Sequence, residues 1–340
     1  MDQFPAPPAP GRSDAQELLA HIRELEAEPN KPVSRQHVVS QVLLRRFAAP
    51  GRGSTGNLVS WLDLHHPERH CKDKGTKALG FERDFVAFAS GSLEELWNAT
   101  EQRMGEAFAV LDDPAALGDR EVAGTLRDTV ALHFIRSLRF REVHDKAWKE
   151  TYDAGLRRLL GEDRSRLDAA AVAECGIYPG TQAAAEYFAR RFMETSQHLV
   201  DSGAVLRTAI EERFHRAREI LAPHSVNVLV AAEGEFLIGD SPAITFAYTN
   251  VPTQGVFGVP LGNAHTAVLP VGPQHLIAIG GPTSEVRRIP RDEVDALNTV
   301  QIQAAVRHVY FRPGSSLPRF VRTVCAFGKR QPLPRIPSRR

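Results

Sequence analysis

The sequence predicts an α+β protein, a predominantly helical bundle followed by a C-terminal antiparallel sheet. Three observations predict it. Apolar residues recur at helical spacing through most of 14–222. From Pro223 onward the pattern changes to short apolar runs separated by Gly, Pro and Asn turns. A chain of 340 residues that is 42% hydrophobic also has ample material for a buried core.

The elements follow in order. Residues 1–13 are rich in Pro and Ala and read as an extended tail. A first helix opens at Ser13 or Asp14, carries Leu18, Leu19, Ile22 and Leu25 on one face, and stops at Pro29. A second runs from Ser34 to Phe47 and ends before Pro50-Gly51. Asn57–Leu64 alternates as a strand, and His65, His66 and His70 fall in the polar loop behind it. Ser92 with Glu95 has capping-box spacing for a helix to Leu111, closed by Pro114. The longest helical tract, Asp119–Leu160, bears Val122, Leu126, Val130, Leu132, Phe134, Ile135 and Leu138, and a third long helix spans Thr181–Leu221. Strands are expected at 226–230, 235–239, 267–270 and 276–279, with a last helix over 291–309 and a basic tail at 329–340. The strands are too short to support a core alone, so a single domain over 14–328 is expected, helical in 14–222 and sheet-containing in 223–328.

Composition narrows the function classes. With 42 Lys+Arg against 41 Asp+Glu there is no global attraction to nucleic acid or membrane, and anion binding must come from a local cluster. Cys71, Cys175 and Cys325 are far apart, which supports neither a disulfide framework nor a zinc ribbon. No secretory signal opens the chain and no apolar run approaches the ~18 residues of a membrane span, so a cytoplasmic protein without membrane partners is expected.

Three constellations carry chemistry. On the expected helix His37, Gln41 and Arg45 stand at i, i+4 and i+8 on one face, either solvated or directed into a cleft with His37 as base or ligand and Arg45 on an anion. His133, Arg136 and Arg139 form a second face, suited to phosphate or carboxylate recognition or to interhelical salt bridges with Glu94, Glu95 or Glu101. Asp240 closes an apolar strand at a tight turn before Pro242, a place for a catalytic carboxylate or for an Asx-turn. His65, His66, His70 and Cys71 are zinc-capable, but Pro67 interrupts the His66–His70 spacing.

The segment from His37 to Phe47 resembles the opening motif of an uncharacterised, mainly bacterial family of unknown function, DUF4238, with Val38 and Ser40 where that motif has Tyr and Pro. Glu82-Arg83-Asp84-Phe85, Arg136 and Gly239-Asp240-Ser241-Pro242 are further echoes, so the resemblance extends over about 36–310. It implies no activity, but it favours a functional Asp240. The combined expectation is a hydrolase acting on an anionic small molecule, phosphodiester or nucleic acid. His37, Asp240 and Glu101 would be its catalytic groups and Gln41, Arg45, Arg136 and Arg139 its substrate contacts, with room for a divalent ion. The rival is a non-catalytic module that binds nucleic acid or protein through the same arginines.

Overall fold

A computed structural model describes residues 12–27, 32–50, 56–248 and 255–327. The C-terminal tail and residues 1–11 of the N-terminal tail lie outside them, while Arg12 and Ser13 already belong to the first helix. Among the described residues 54% are helical and 18% are in strands, a mixed α and β fold.

The chain forms two compact units. The first takes in α1 (Arg12–Ala27), residues 86–91, α5 (Leu138–Leu160) from Arg141 onward, α6 (Arg164–Cys175), α7 (Gln182–Phe192), α8 (Glu194–Asp201) and the start of α9 (Ala204–Leu221). Its apolar centre is Leu167, Ala171, Ala185, Phe188 and Ala189, flanked by Leu156, Leu159, Leu160 and Phe192. The second unit holds everything else described, including α2 (Gln41–Arg46), α3 (Ser90–Ala109) from Ser92, α4 (Arg120–Ile135), α10 (Arg291–Ala304), α11 (Leu317–Phe327) and all strands.

Those strands are β1 (Arg35–His37), β2 (Ala49–Pro50), β3 (Asn57–Asp63), β4 (Lys72–Gly75), β5 (Phe81–Arg83), β6 (Val226–Ala231), β7 (Ile238–Gly239), β8 (Ile244–Tyr248), β9 (Gly255–Phe257), β10 (Thr266–Pro270), β11 (His275–Ile279), β12 (Glu285–Ile289) and β13 (His308–Phe311). A six-stranded sheet runs β12-β6-β11-β10-β8-β9, and a second runs β2-β3-β13-β7 with β4 also on β3. β1 and β5 make a separate two-stranded ladder. Val294, Leu297 and Val300 of α10 pack with Phe246, Val268 and Leu276 of the six-stranded sheet, and α4 also lies against β6, β10 and β11. The second sheet packs through Leu62, Val309 and Phe311 against Leu317 and Val321 of α11.

Several expectations are corrected. The sheet is not wholly antiparallel, because β12 runs parallel to β6. Nor is strand structure confined to the C-terminal part: β3 pairs with β13 across the length of the chain, from Asp63↔His308 to Ser60↔Phe311. The helix expected from Ser34 is instead β1 followed by α2. The β-branched Val38 and Val39 follow the strand, and Ser40 then caps α2, its Oγ accepting from the Leu43 N–H at 3.2 Å. The 119–160 tract breaks at Arg136, whose ψ of 56° ends α4, and Ser137 restarts it as its Oγ accepts from the Phe140 N–H at 3.1 Å. The 181–221 tract is broken after Phe192 and at Gly203, which sits at φ +83°. The last helix stops at Ala304, so 308–311 can serve as β13.

Only 238–239 of the expected 235–239 strand pairs as a strand, because α10 supplies the missing partners with side chains. Asn298 Oδ1 accepts from the Leu237 N–H at 2.9 Å and its Nδ2 donates to the Glu235 carbonyl at 2.8 Å. Gln301 Oε1 accepts from the Gly239 N–H at 3.1 Å and its Nε2 donates to the Pro242 carbonyl at 2.7 Å. A Cβ on Gly239 would lie 3.0 Å from Ala305 Cβ, which explains glycine at this approach.

Candidate functional site

His37 ends β1, opposite Phe81 in the ladder with β5. Its ring stands edge-on to Phe81 with centroids 6.2 Å apart. Gly80 makes this placement work: at φ +65° it accepts from the Val39 N–H at 3.0 Å, and a Cβ there would strike Leu44 at 2.8 Å. Although His37, Gln41 and Arg45 are not on one helix, the turn at Val38–Ser40 still lines them up. The Gln41 amide lies 3.3 Å from His37 Nε2, and Arg45 Nη2 donates to Gln41 Oε1 at 3.3 Å. With Gln41 as donor, the imidazole Nε2 is the acceptor and the ring proton sits on Nδ1.

Behind His37 lies a buried polar cluster. Glu94, Trp97 and Glu101 stand at i, i+3 and i+7 on α3 and therefore share a face. Arg136, only 1% exposed, donates from Nη2 to Glu101 Oε1 at 2.5 Å and lies over the Trp97 ring at 4.9 Å. This realises the salt-bridge reading of the arginine face for Arg136. Gln36, fully buried beside His37 on β1, sets its amide beside the Glu94 carboxyl. Among the polar atoms of the cluster shut off from solvent with no hydrogen-bond partner among the described residues are Arg136 Nε and Glu94 Oε1. Burial, with the Arg136 charge next, pushes the His37 imidazole below its ordinary value, and Glu101 partly opposes this. Burial likewise pushes the Glu94 carboxyl up, opposed by Arg136 and reinforced by Glu101.

His133, the third member of the expected arginine face, is an internal strut. Its Nδ1–H donates to the Thr129 carbonyl at 2.8 Å and its Nε2 accepts from the Ser40 N–H at 3.3 Å, so both nitrogens are committed in the neutral ring. Burial holds its pKa down to about 3. Arg139 is exposed, and its backbone N–H is held at 3.2 Å by the Ser241 hydroxyl.

That bond brings the 136–139 segment to the turn containing Asp240. Asp240 is 1% exposed, and its carboxylate accepts from three backbone N–H groups: Val306 at 2.8 Å, Arg307 at 2.8 Å and His308 at 2.7 Å. Burial pushes its carboxyl up while these donors pull it down. Both oxygens are thus spent on the α10–β13 loop. The structure therefore brings His37, Gln41, Arg45, Glu101 and Arg136 near one another, while Asp240 anchors the backbone beside Arg139.

The histidine-rich loop is elsewhere. His65, His66 and His70 are exposed, and His66 faces Glu68 at 3.6 Å. Among the described residues no group of three or more His, Cys, Asp or Glu side chains is placed to hold a metal ion. No helix among them is long and apolar enough to cross a membrane.

Sequence reasoning passed over Gln36 and Trp97 and read Glu94 only as a salt-bridge candidate. The signal for the α3 residues was present in the i, i+3, i+7 spacing of one aromatic and two acids. No curated protein and no solved structure matches the chain. A family model described as protein of unknown function DUF4238 matches residues 35–315, from β1 to just beyond β13, and the chain belongs to that family.

Proposed function

We propose that the His37 cluster is a hydrolytic site for an anionic substrate, a phosphodiester or nucleic acid, with His37 as general base. The observation that carries this reading is the imidazole itself: it is kept neutral by burial and by Arg136, and oriented through Nε2 by Gln41. When the attacking water displaces the Gln41 amide from Nε2, the neutral imidazole takes a proton from it there as the water oxygen bonds to phosphorus and the P–O bond to the leaving oxygen breaks. The imidazolium then returns that proton to the leaving oxygen. Glu101 favours the transient charge on His37, and its ion pair with Arg136 holds both side chains in place. Arg45, exposed at the end of the Gln41 relay, supplies bidentate contact to the substrate anion, and Arg139 extends the basic rim. Asp240 contributes as a positioning residue through Ser241 and the first turn of α5.

The test is hydrolysis of a chromogenic phosphodiester and of short single-stranded DNA and RNA, each with and without added Mg²⁺ or Mn²⁺. Turnover that disappears in His37→Gln, with the fold retained, supports the proposal. Salt-sensitive binding of the oligonucleotides that is indifferent to His37→Gln, with no turnover of any substrate, replaces it by the binding-module reading.

A further inference from the structure

We propose that Glu94 is the proton-holding carboxyl of this site, the acid that complements His37 as base. The proposal deepens the hydrolytic reading and rests on it for its chemical role. It is carried by a count of charges in a confined space. Two carboxyl groups on one face of α3, Glu94 and Glu101, share a single buried cation, Arg136. Arg136 is committed through Nη2 to Glu101 at 2.5 Å. Glu94 Oε1 is shut off from solvent with no hydrogen-bond partner among the described residues, and the Gln36 amide lies beside the carboxyl. An ionised carboxylate in that position carries a desolvation cost that Arg136, already paired with Glu101, offsets only in part, whereas a protonated one does not. The groups that face it are Gln36 from β1, Glu101 from its own helix and Arg136 from the end of α4. Arg136, already paired with Glu101, and the Gln36 amide favour its charged form, and burial outweighs both.

Two groups whose surroundings push their proton affinities in opposite directions make an acid and a base. Glu94 relieves His37 of its second duty. As the P–O bond breaks, Glu94 gives its proton to the leaving oxygen and becomes carboxylate, while His37 keeps the proton taken from water. Proton transfer from imidazolium to carboxylate through solvent then restores both.

The experiment needs no substrate. Histidine imidazole and glutamate carboxyl resonances of the intact protein are followed by NMR across pH in the wild type, E94Q and E101Q. Glu94 holding its proton means that E94Q leaves the His37 midpoint in place, since one neutral side chain replaces another, whereas E101Q moves it down. A glutamate carboxyl in the wild type should also titrate above the ordinary range of about 4.3 and vanish in E94Q. Equal downward shifts of His37 in E94Q and E101Q, or glutamates that all titrate in the ordinary range, overturn the proposal; the wild-type titration decides by itself should E94Q fail to fold. A negative hydrolysis assay beside a proton-holding Glu94 retires the reaction and keeps the acid–base pair; turnover beside an ordinary Glu94 does the reverse.

Discussion

The Asp240 turn and the His37 cluster are both built from buried polar side chains, and they differ in how completely those side chains are satisfied. Asp240 spends its carboxylate on three backbone N–H groups of one loop. The His37 cluster instead leaves Arg136 Nε and Glu94 Oε1 without partners among the described residues. A satisfied carboxylate is held firmly in the fold, because charge-assisted bonds offset much of the cost of burying it. An incompletely satisfied cluster is a cost that the fold tolerates, and such costs gather at functional sites. The comparison teaches that burial of a charged residue says little about its role until its hydrogen bonds are counted.

The sharpest way to break this contrast is Asp240→Ala. Three part-buried N–H groups would lose their acceptor at about 1 kcal/mol each, so the loss of stability should be about 3 kcal/mol, read from denaturant midpoints. Asp240→Asn, which keeps one acceptor oxygen, should fall between. A catalytic carboxylate would behave oppositely, with near-normal stability in both variants.

Glu101→Gln should be the next largest effect. It strands a guanidinium that is 2% exposed, and since Glu101 itself is 19% exposed, the loss should be about 2–3 kcal/mol. Adding Arg136→Met in the same chain should recover most of it, because the stranded charge is gone. Failure of the double variant to recover would mean that Arg136 stabilises through its packing on Trp97 rather than through its charge.

These residues also show what was legible in the sequence. The periodic signals located the long helices and most of the C-terminal strands, and the motif from His37 to Phe47 drew attention to residues that the fold places side by side. What escaped was set by side chains acting at long range. The break at Arg136 carries no Pro or Gly; there α4 ends and the guanidinium is committed inward to Glu101 and Trp97. The strand at 235–239 was shortened by Asn298 and Gln301, some sixty positions away, which substitute for a neighbouring strand. Local periodicity cannot register a partner that distant. Nor could spacing alone distinguish Asp240 as anchor from Asp240 as reagent, since the deciding donors are the backbone of 306–308.

Acid should weaken the fold through His133. The unfolded chain protonates it near 6.5, while in the folded state it stays neutral down to about 3. Between those values the unfolded state binds the extra proton, so stability falls as pH drops, by up to about 1.4 kcal/mol per pH unit. His308, held down to about 4 largely by burial, acts in the same direction. Urea midpoints between pH 7 and pH 5 should fall, and His133→Gln should flatten the slope. An unchanged slope would show that the ring is not the neutral strut between Ser40 and Thr129.

Arg45→Ala should have the smallest effect on stability and the most local one on the site. Arg45 is exposed, and its 3.3 Å bond to Gln41 is a surface contact across one helical turn, so the change in stability should stay within about 0.5 kcal/mol. The same bond, however, holds the Gln41 carbonyl oxygen, and by doing so it turns the amide nitrogen towards His37 Nε2. Without Arg45 the amide is free to rotate, and the imidazole loses the partner that sets its tautomer. Nitrogen-15 NMR of the ring should therefore show His37 shifting from a single Nδ1–H tautomer to a mixture in Arg45→Ala, with a similar mixture in Gln41→Ala. Identical spectra in all three proteins would mean that the relay orients nothing, and Arg45 would keep only its part in binding the anion.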